Sequence, residues 1–239
     1  MKKYFFIAVS AMLLLSCGQI ILPTGLPGTT TSRGQLSNTE IINGLKEALK
    51  IGAQNSTGNA SAVDGFYKNQ LLFIPFPQEA IEVKNTLEKA GFKKPVDDFV
   101  LSLNRAAEEA SKKAYPIFAD AILGMSITDA MGILKGADNA ATSYLKTKTS
   151  QQLAAAFKPI VNEALQKVKV TSYWTPVVNT YNKLTILTGT KQVNPNLEEY
   201  VTGKAIDGLF VLIANEEAKI RKDPAARVTE LLKKVFAKQ

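Results

Sequence analysis

Histidine is missing from this 239-residue sequence, and cysteine occurs only once. The lack of histidine excludes histidine-based catalytic triads, histidine-ligated metals and imidazole pH switches. A single cysteine excludes zinc knuckles, iron–sulfur clusters and a disulfide within the chain. These two shortages remove several familiar hydrolase and metalloprotein sites, and the sequence predicts no resident metal or cofactor.

Charged residues are also not abundant, at 21% of the chain, whereas hydrophobic residues make up 46%. This balance is typical of a globular protein and argues against a disordered chain or a coiled coil. The formal net charge is +8, and the densest basic stretch is Lys219 to Lys238. That stretch has no ladder of aromatic residues on which bases could stack. We therefore expect no nucleic-acid partner and interpret the stretch as a solvated helix face with an affinity for anionic lipid headgroups.

The first residues have the three parts of a secretory signal peptide. Lys2 and Lys3 give a positive start, and they are followed by the apolar run Tyr4 to Leu15 and the small-residue site Ser16-Cys17. The apolar run is too short for a stable transmembrane helix. We predict that the segment 1–16 is a signal peptide and is removed from the mature protein.

The end of this peptide, Leu14-Leu15-Ser16-Cys17-Gly18, resembles the lipobox of bacterial lipoproteins. In that family the chain is cut before the cysteine, which carries a diacylglyceryl thioether with fatty acids such as palmitate. The resemblance implies lipidation of Cys17 and a membrane anchor, and the alternative is an ordinary signal peptide with an incidental cysteine. Because Gly18 and not aspartate follows the cysteine, the resemblance favours the outer membrane, with the protein facing the periplasm. Two or three acyl chains would anchor the protein firmly, since each buried methylene contributes about 0.8 kcal/mol.

The remaining sequence predicts a tether followed by one folded domain. Residues 17–36 contain the acylated cysteine and a stretch rich in glycine, proline and threonine, which is typical of a flexible tether. Ser37-Asn38-Thr39-Glu40 then forms a capping box, whose serine and glutamate side chains bond backbone amides of a first helical turn. We therefore expect the folded domain to cover residues 37–239.

Helical periodicity dominates this domain, and the fold class predicted is all-α, with about eight helices. On the helix after Pro95, Val96, Phe99 and Leu103 share a buried face, whereas Glu108 falls toward the solvent side. Ser126 is a cap-like start and Gly136 a stop for a short helix. A short apolar run, Leu71–Ile74, is either an extended segment or a small strand. Further helices are predicted at 138–148, 150–168, 173–188 and 197–222, and a last one from Asp223-Pro224 through Phe236.

One position breaks the pattern of the long helix over 197–222. Ile206, Leu209 and Ile213 define its buried side, and Glu217 falls near the middle of that stripe. A buried carboxylate must be paired, and Arg221, one turn further on, is a suitable bidentate partner. Two interpretations remain open: a structural ion pair that joins this helix to a neighbour, or a functional polar site.

Five stretches of the sequence, in this order along the chain, resemble the bacterial domain of unknown function 4197. They are Asn104-Arg105-Ala106-Ala107-Glu108, Met125 to Ala130, Ala140 to Tyr144, Asp207-Gly208-Leu209-Phe210 and Glu217 to Ala225. The resemblance covers roughly residues 37–236 and implies an exported helical domain that is often lipid-anchored. It implies no activity and supplies no functional residues.

Three classes of function are compatible with the sequence. The first, which we favour, is a non-enzymatic envelope lipoprotein that binds a lipid, an envelope polymer or a protein partner. A groove lined by Phe99, Leu103, Leu209 and Ile213 is one candidate site for an apolar ligand, with plain core packing as the alternative interpretation of those residues.

The second class is a carboxylate-based hydrolase or metal-dependent enzyme built from Glu217, Arg221, Asn104 and Glu108. Its oxygen ligands would suit calcium, magnesium or manganese. The third class is a purely structural or assembly role.

Overall fold

Eight α-helices account for nearly all the regular structure in the described part of the chain. The computed structural model describes residues 37–167, 169–188, 192–223 and 233. No strand occurs among these residues, so the predicted all-α fold is confirmed. A short 3-10 helix, Gln78–Ala80, precedes the second α-helix. The helices are α1 (Asn38–Ser61), α2 (Ile81–Lys89), α3 (Lys93–Ser111), α4 (Ala114–Leu123), α5 (Ile127–Lys135), α6 (Ala140–Gln166), α7 (Lys169–Thr188) and α8 (Leu197–Lys222).

Two helices begin with the capping boxes that the sequence predicts. At the start of α1, the Ser37 hydroxyl accepts from the Glu40 amide at 3.2 Å, and Glu40 accepts from the Ser37 amide at 2.9 Å. Ser126 and Asp129 make the same pair of bonds at the start of α5, which ends before Gly136. Each box satisfies amides that have no partner within the helix, and this fixes where the helix begins.

Two helix boundaries differ from those that the sequence predicts. The polar stretch Gln54 to Asn59 predicts the end of the first helix, but α1 continues to Ser61, because Ser56, Thr57 and Ala60 are buried in contact with the rest of the domain. α6 is one helix and not two, and it contains Pro159. Its buried face runs without a break across the predicted interruption, so tertiary packing overrides the weak local signals. The predicted signal peptide and tether, and the predicted last helix apart from Asp223 and Lys233, lie outside the described residues.

The core is built where α8, α6, α3 and α1 pack together, with α4 lying against α1 and α6. Phe99, Leu103, Leu209 and Ile213 are all buried in it. Of the two interpretations of these four residues, a ligand groove or plain core packing, their burial supports core packing. The described helices belong to one compact unit, residues 36–239.

Residues 62–77, between α1 and the 3-10 helix, form a long connection that we call the crossing loop. Leu72, Ile74 and Phe76 are buried in the core, whereas Leu71, just before them, and Phe73, between Leu72 and Ile74, are exposed. This alternation is the side-chain pattern of an extended segment, as the sequence suggested, but no strand pairs with it. Side chains from neighbouring helices, and not a second strand, bond the backbone of this segment.

Among the described residues, no single helix is long and apolar enough to cross a membrane. One bent pair, Lys93–Leu123 with Ile127–Lys135, passes that test by length and composition alone.

Candidate functional site

The predicted buried carboxylate, Glu217, lies at the start of another helix. Its Oε1 accepts from the Ala141 amide at 3.0 Å, and its Oε2 accepts from the Thr142 amide at 2.8 Å and the Thr142 hydroxyl at 2.7 Å. These amides belong to the first turn of α6, whose own N-cap residue, Asn139, makes no side-chain bond. Glu217 therefore acts as the N-cap of α6 from α8, where the helix dipole also favours a negative charge.

Arg221 completes this arrangement, which we call the helix-end site (Glu217, Arg221, Ala141 and Thr142). Arg221 donates from Nε to Glu217 Oε1 at 3.0 Å, and its Nη2 lies 2.9 Å from the same oxygen. Nη2 also donates to the Ile133 carbonyl, in the last turn of α5, at 2.9 Å. The site thus joins the end of α5, the start of α6 and the last turns of α8. Its contacts are those of the structural ion pair that the sequence left as one of two interpretations.

Asn104, the third predicted polar residue, takes part in a different site. Its Oδ1 accepts from the Ile74 amide at 2.8 Å, and its Nδ2 donates to the carbonyls of Ile74 and Val100, each at 2.8 Å. Asn104 on α3 is thus bonded to both backbone groups of one loop residue, as a neighbouring strand would be. This bonding holds the extended part of the crossing loop against α3.

Glu108 is buried, so its predicted position toward solvent is wrong. The crossing loop covers this side of α3, and Glu108 Oε1 accepts from the amides of Phe66 and Tyr67 at 3.1 and 3.2 Å. Its Oε2 lies 2.6 Å from Arg105 Nη1, and Arg105 Nη2 reaches Asp64 at 2.7 Å. We call Asn104, Arg105, Glu108 and Asp64, with the loop groups they bind, the loop site.

Two further interactions act on the crossing loop. Asp64 is the only non-glycine residue with positive φ (68°) among the described residues, and hydrogen bonds from Lys68 and then Arg105 lower the pKa of its carboxyl. Tyr200, on α8, donates its hydroxyl to the Pro75 carbonyl at 3.1 Å, and burial raises the pKa of this hydroxyl to about 12. The loop is therefore fixed at both of its ends by side chains of α3 and α8.

The outer face of the fixed loop forms a groove of about 530 Å³, which we call the loop groove. The Tyr67 and Phe73 rings lie 6.1 Å apart on one side, and Phe76 is supported from below by the rings of Phe99 and Trp174 at 5.3 and 5.5 Å. Six of its nine lining residues are apolar, about half of its exposed surface comes from polar atoms, and its rim carries one cation and one anion. The lining residues are Tyr67, Phe73, Pro75, Phe76, Gln78, Ile81, Lys84, Asp97 and Val100.

A second cleft, of about 440 Å³, lies between α1 and α8, and most of its lining residues are of polar types. Its main charged group, Glu216, already accepts from Asn55 and Lys219. The buried Ser56 hydroxyl at this cleft has no hydrogen-bond partner among the described residues. The loop groove is the better candidate for binding, because partly exposed aromatic rings line it and buried side chains fix the loop that carries them.

Sequence reasoning found Glu217, Arg221 and Asn104 as buried polar residues but missed the loop groove. One sequence signal was available: the unbroken apolar run Leu71 to Ile74 is followed at once by Pro75, Phe76 and Pro77. Among the described residues, no group of three or more His, Cys, Asp or Glu side chains is placed to hold a metal ion.

Comparison with known proteins identifies the family. The model of the family described as "Protein of unknown function (DUF4197)" matches residues 35–237. No curated protein and no solved structure matches the chain. The matched region contains both polar sites and the loop groove. Because the match covers most of the chain, the protein belongs to the DUF4197 family.

Proposed function

We propose that this protein is a non-enzymatic bacterial envelope lipoprotein whose loop groove binds an extended, apolar segment of a protein partner. Cys17 anchors the chain in the outer membrane, and the helical domain faces the periplasm. The observation that carries the binding role is an exposed apolar surface on a loop that buried side chains hold in place.

A fixed loop with outward apolar residues is well suited to binding. Leu71 and Phe73 are exposed, although the crossing loop buries four other large apolar side chains, those of Phe66, Leu72, Ile74 and Phe76. The loop is therefore in extensive contact with the core, and a lack of such contact does not explain why Leu71 and Phe73 are exposed. Asn104, Glu108 and Tyr200 fix the loop backbone before any partner arrives. Binding then costs little loop entropy, and more of the contact energy contributes to affinity.

The composition of the groove favours a peptide over an acyl chain. Its wall combines the rings of Tyr67 and Phe73 with Pro75, and such surfaces bind apolar side chains of extended segments. The rim holds Lys84 and Asp97, which pair with Glu88 at 3.6 Å and with Lys93 at 3.0 Å, and a peptide's polar groups would replace these solvated partners. An acyl chain would use neither charge.

The membrane part of the proposal is supported by the lipobox resemblance at Leu14 to Gly18. The test is the mass of the mature protein extracted from its own envelope. We expect the chain to begin at Cys17 and to carry acyl groups. An unmodified Cys17, or cleavage at another residue, would contradict the anchor.

The groove is tested with a photo-crosslinking amino acid in place of Phe73 in the living cell. Val211, on α8, is the matched control, because it is 39% exposed and Phe73 is 40% exposed. We expect the Phe73 position to crosslink repeatedly to one segment of one envelope protein, mapped by mass spectrometry, and the Val211 position to give no such product.

Two other outcomes would overturn this binding role. Crosslinks to lipid alone would assign the groove to an acyl chain. Equal, scattered products at Phe73 and Val211 would show that the groove has no specific partner.

A further inference from the structure

A second exposed apolar surface lies at the turn between α4 and α5. Leu123, the last residue of α4, is 57% exposed, and Ile127, the first residue of α5, is 62% exposed. Met125 between them is buried and holds the turn against the core. We call Leu123 and Ile127 the apolar tip. Large apolar side chains grouped on a surface indicate contact with another apolar phase.

The backbone around the apolar tip is fixed. The capping box of Ser126 and Asp129 begins α5 within the turn. On the other side, Lys46 of α1 donates from Nζ to the Leu123 carbonyl at 2.8 Å. The two side chains are therefore held outward by a structured turn and are not part of a frayed helix end. Lys46 also places a cation beside them, at the level where lipid phosphates would lie.

The position of the tip along α1 relates it to the membrane anchor. Residues 17–36 join the domain at Ser37, and Lys46 follows about 14 Å further along the helix at 1.5 Å per residue. The whole of α1 is about 36 Å long and leads at its other end to Val63 and the crossing loop. The apolar tip is therefore bonded to the half of α1 that begins near Ser37, and the crossing loop follows the other end of α1 in the sequence.

We propose that the apolar tip docks on the surface of the membrane in which Cys17 is anchored. This inference rests on the lipid anchor of the proposed function. Two apolar side chains alone bind a membrane weakly. The anchor makes their contact intramolecular and raises their effective concentration at the lipid surface.

The test uses the full-length acylated protein from its own envelope, reconstituted in vesicles of phosphatidylethanolamine and phosphatidylglycerol. Ile127→Cys is labelled with an environment-sensitive fluorophore. Val63→Cys is the matched control, because Val63 is 79% exposed and lies at the other end of α1. We expect a blue-shifted emission and several-fold weaker quenching by aqueous iodide at position 127, and neither effect at position 63.

The number of labels separates a failure of docking from a failure of the anchor. An acylated Cys17 has no free thiol, so each variant takes one label, which intact mass records. Two labels would overturn the anchor and the inference together. One label with equal quenching at positions 127 and 63 would overturn docking alone. Protection at position 127 that disappears when the protein is diluted in lipid would assign the tip to self-association, which also overturns the inference.

Discussion

The helix-end site and the loop site use the same arrangement in two different regions of the molecule. In each, a buried glutamate accepts from two consecutive backbone amides and pairs with an arginine on its own helix, three or four residues away. In the helix-end site the arginine is almost wholly buried and bonds the last turn of another helix. In the loop site the arginine is half-buried, and its guanidinium lies 5.8 Å from the ring of Tyr67, a wall residue of the loop groove.

This difference indicates what each site does. The helix-end site connects three regular elements and has no exposed surface to shape, so its contribution is to stability. The loop site connects the core to the loop groove, whose wall is formed largely by the crossing loop and not by a helix or strand. A cation stacked on Tyr67 links the buried carboxylate to the groove wall. Damage to the first site should therefore affect the whole fold, and damage to the second should affect binding at a smaller cost in stability.

The largest expected effect is that of Glu217→Ala. It leaves the Arg221 charge buried beside unpaired α6 amides, and breaking such a pair costs about 3–5 kcal/mol. Glu163→Ala is the control, because Glu163 on α6 and its partner Lys167 are both exposed, and we expect it to leave the free energy of unfolding almost unchanged. Urea unfolding of both variants measures the difference. Equal costs would show that the helix-end site is not a special source of stability.

Glu108→Ala should have an intermediate effect on stability and a large effect on binding. It removes the acceptor for the amides of Phe66 and Tyr67. The loss of this acceptor should lower the free energy of unfolding by about 1–3 kcal/mol. Arg105 can turn to solvent, which limits the loss. Crosslinking from the Phe73 position should disappear, and amide exchange at the two loop residues should become faster.

The control for this variant is Glu109→Ala, because Glu109 is exposed and pairs with Lys112 across a solvated turn. It should leave unfolding and crosslinking unchanged. If Glu108→Ala destabilised the protein as much as Glu217→Ala while crosslinking persisted, the distinction between the two sites would be wrong.

The two sites also differ in how far the sequence could predict them. Glu217 and Arg221 lie one turn apart on a single helix whose predicted limits, 197–222, match α8, so periodicity alone placed both on the buried side. The capping boxes at Ser37 and Ser126 were equally local. The residues that form each of these features are only three or four positions apart, so the local sequence pattern is enough to predict them.

The loop site depends on contacts that no local pattern contains. The amides that bind Glu108 are 41 and 42 residues away, and Tyr200 reaches Pro75 across 125 residues. Periodicity placed Glu108 toward solvent because it cannot show that a loop covers that side of α3. The partners of Glu217 on α6, 75 and 76 residues distant, were unpredictable for the same reason.

The smallest expected effect is that of Tyr200→Phe, and the pH dependence of the free energy of unfolding identifies it. Tyr200→Phe removes the bond to the Pro75 carbonyl, a loop contact with no counterpart at the helix-end site, and should cost about 1 kcal/mol near neutral pH. The folded-state pKa of about 12 lies above the ordinary tyrosine value near 10. The stability contributed by the neutral hydroxyl is therefore complete below about pH 10 and is lost as the pH rises from about 10 toward 12. The stabilities of the wild type and of Tyr200→Phe, measured over this range, should converge above about pH 10 and then cross, because a pKa raised by about two units outweighs a single hydrogen bond. Lysines and the other tyrosines titrate in both proteins and cancel in the difference. Parallel profiles would mean that Tyr200 ionises as it does in water and does not hold the crossing loop.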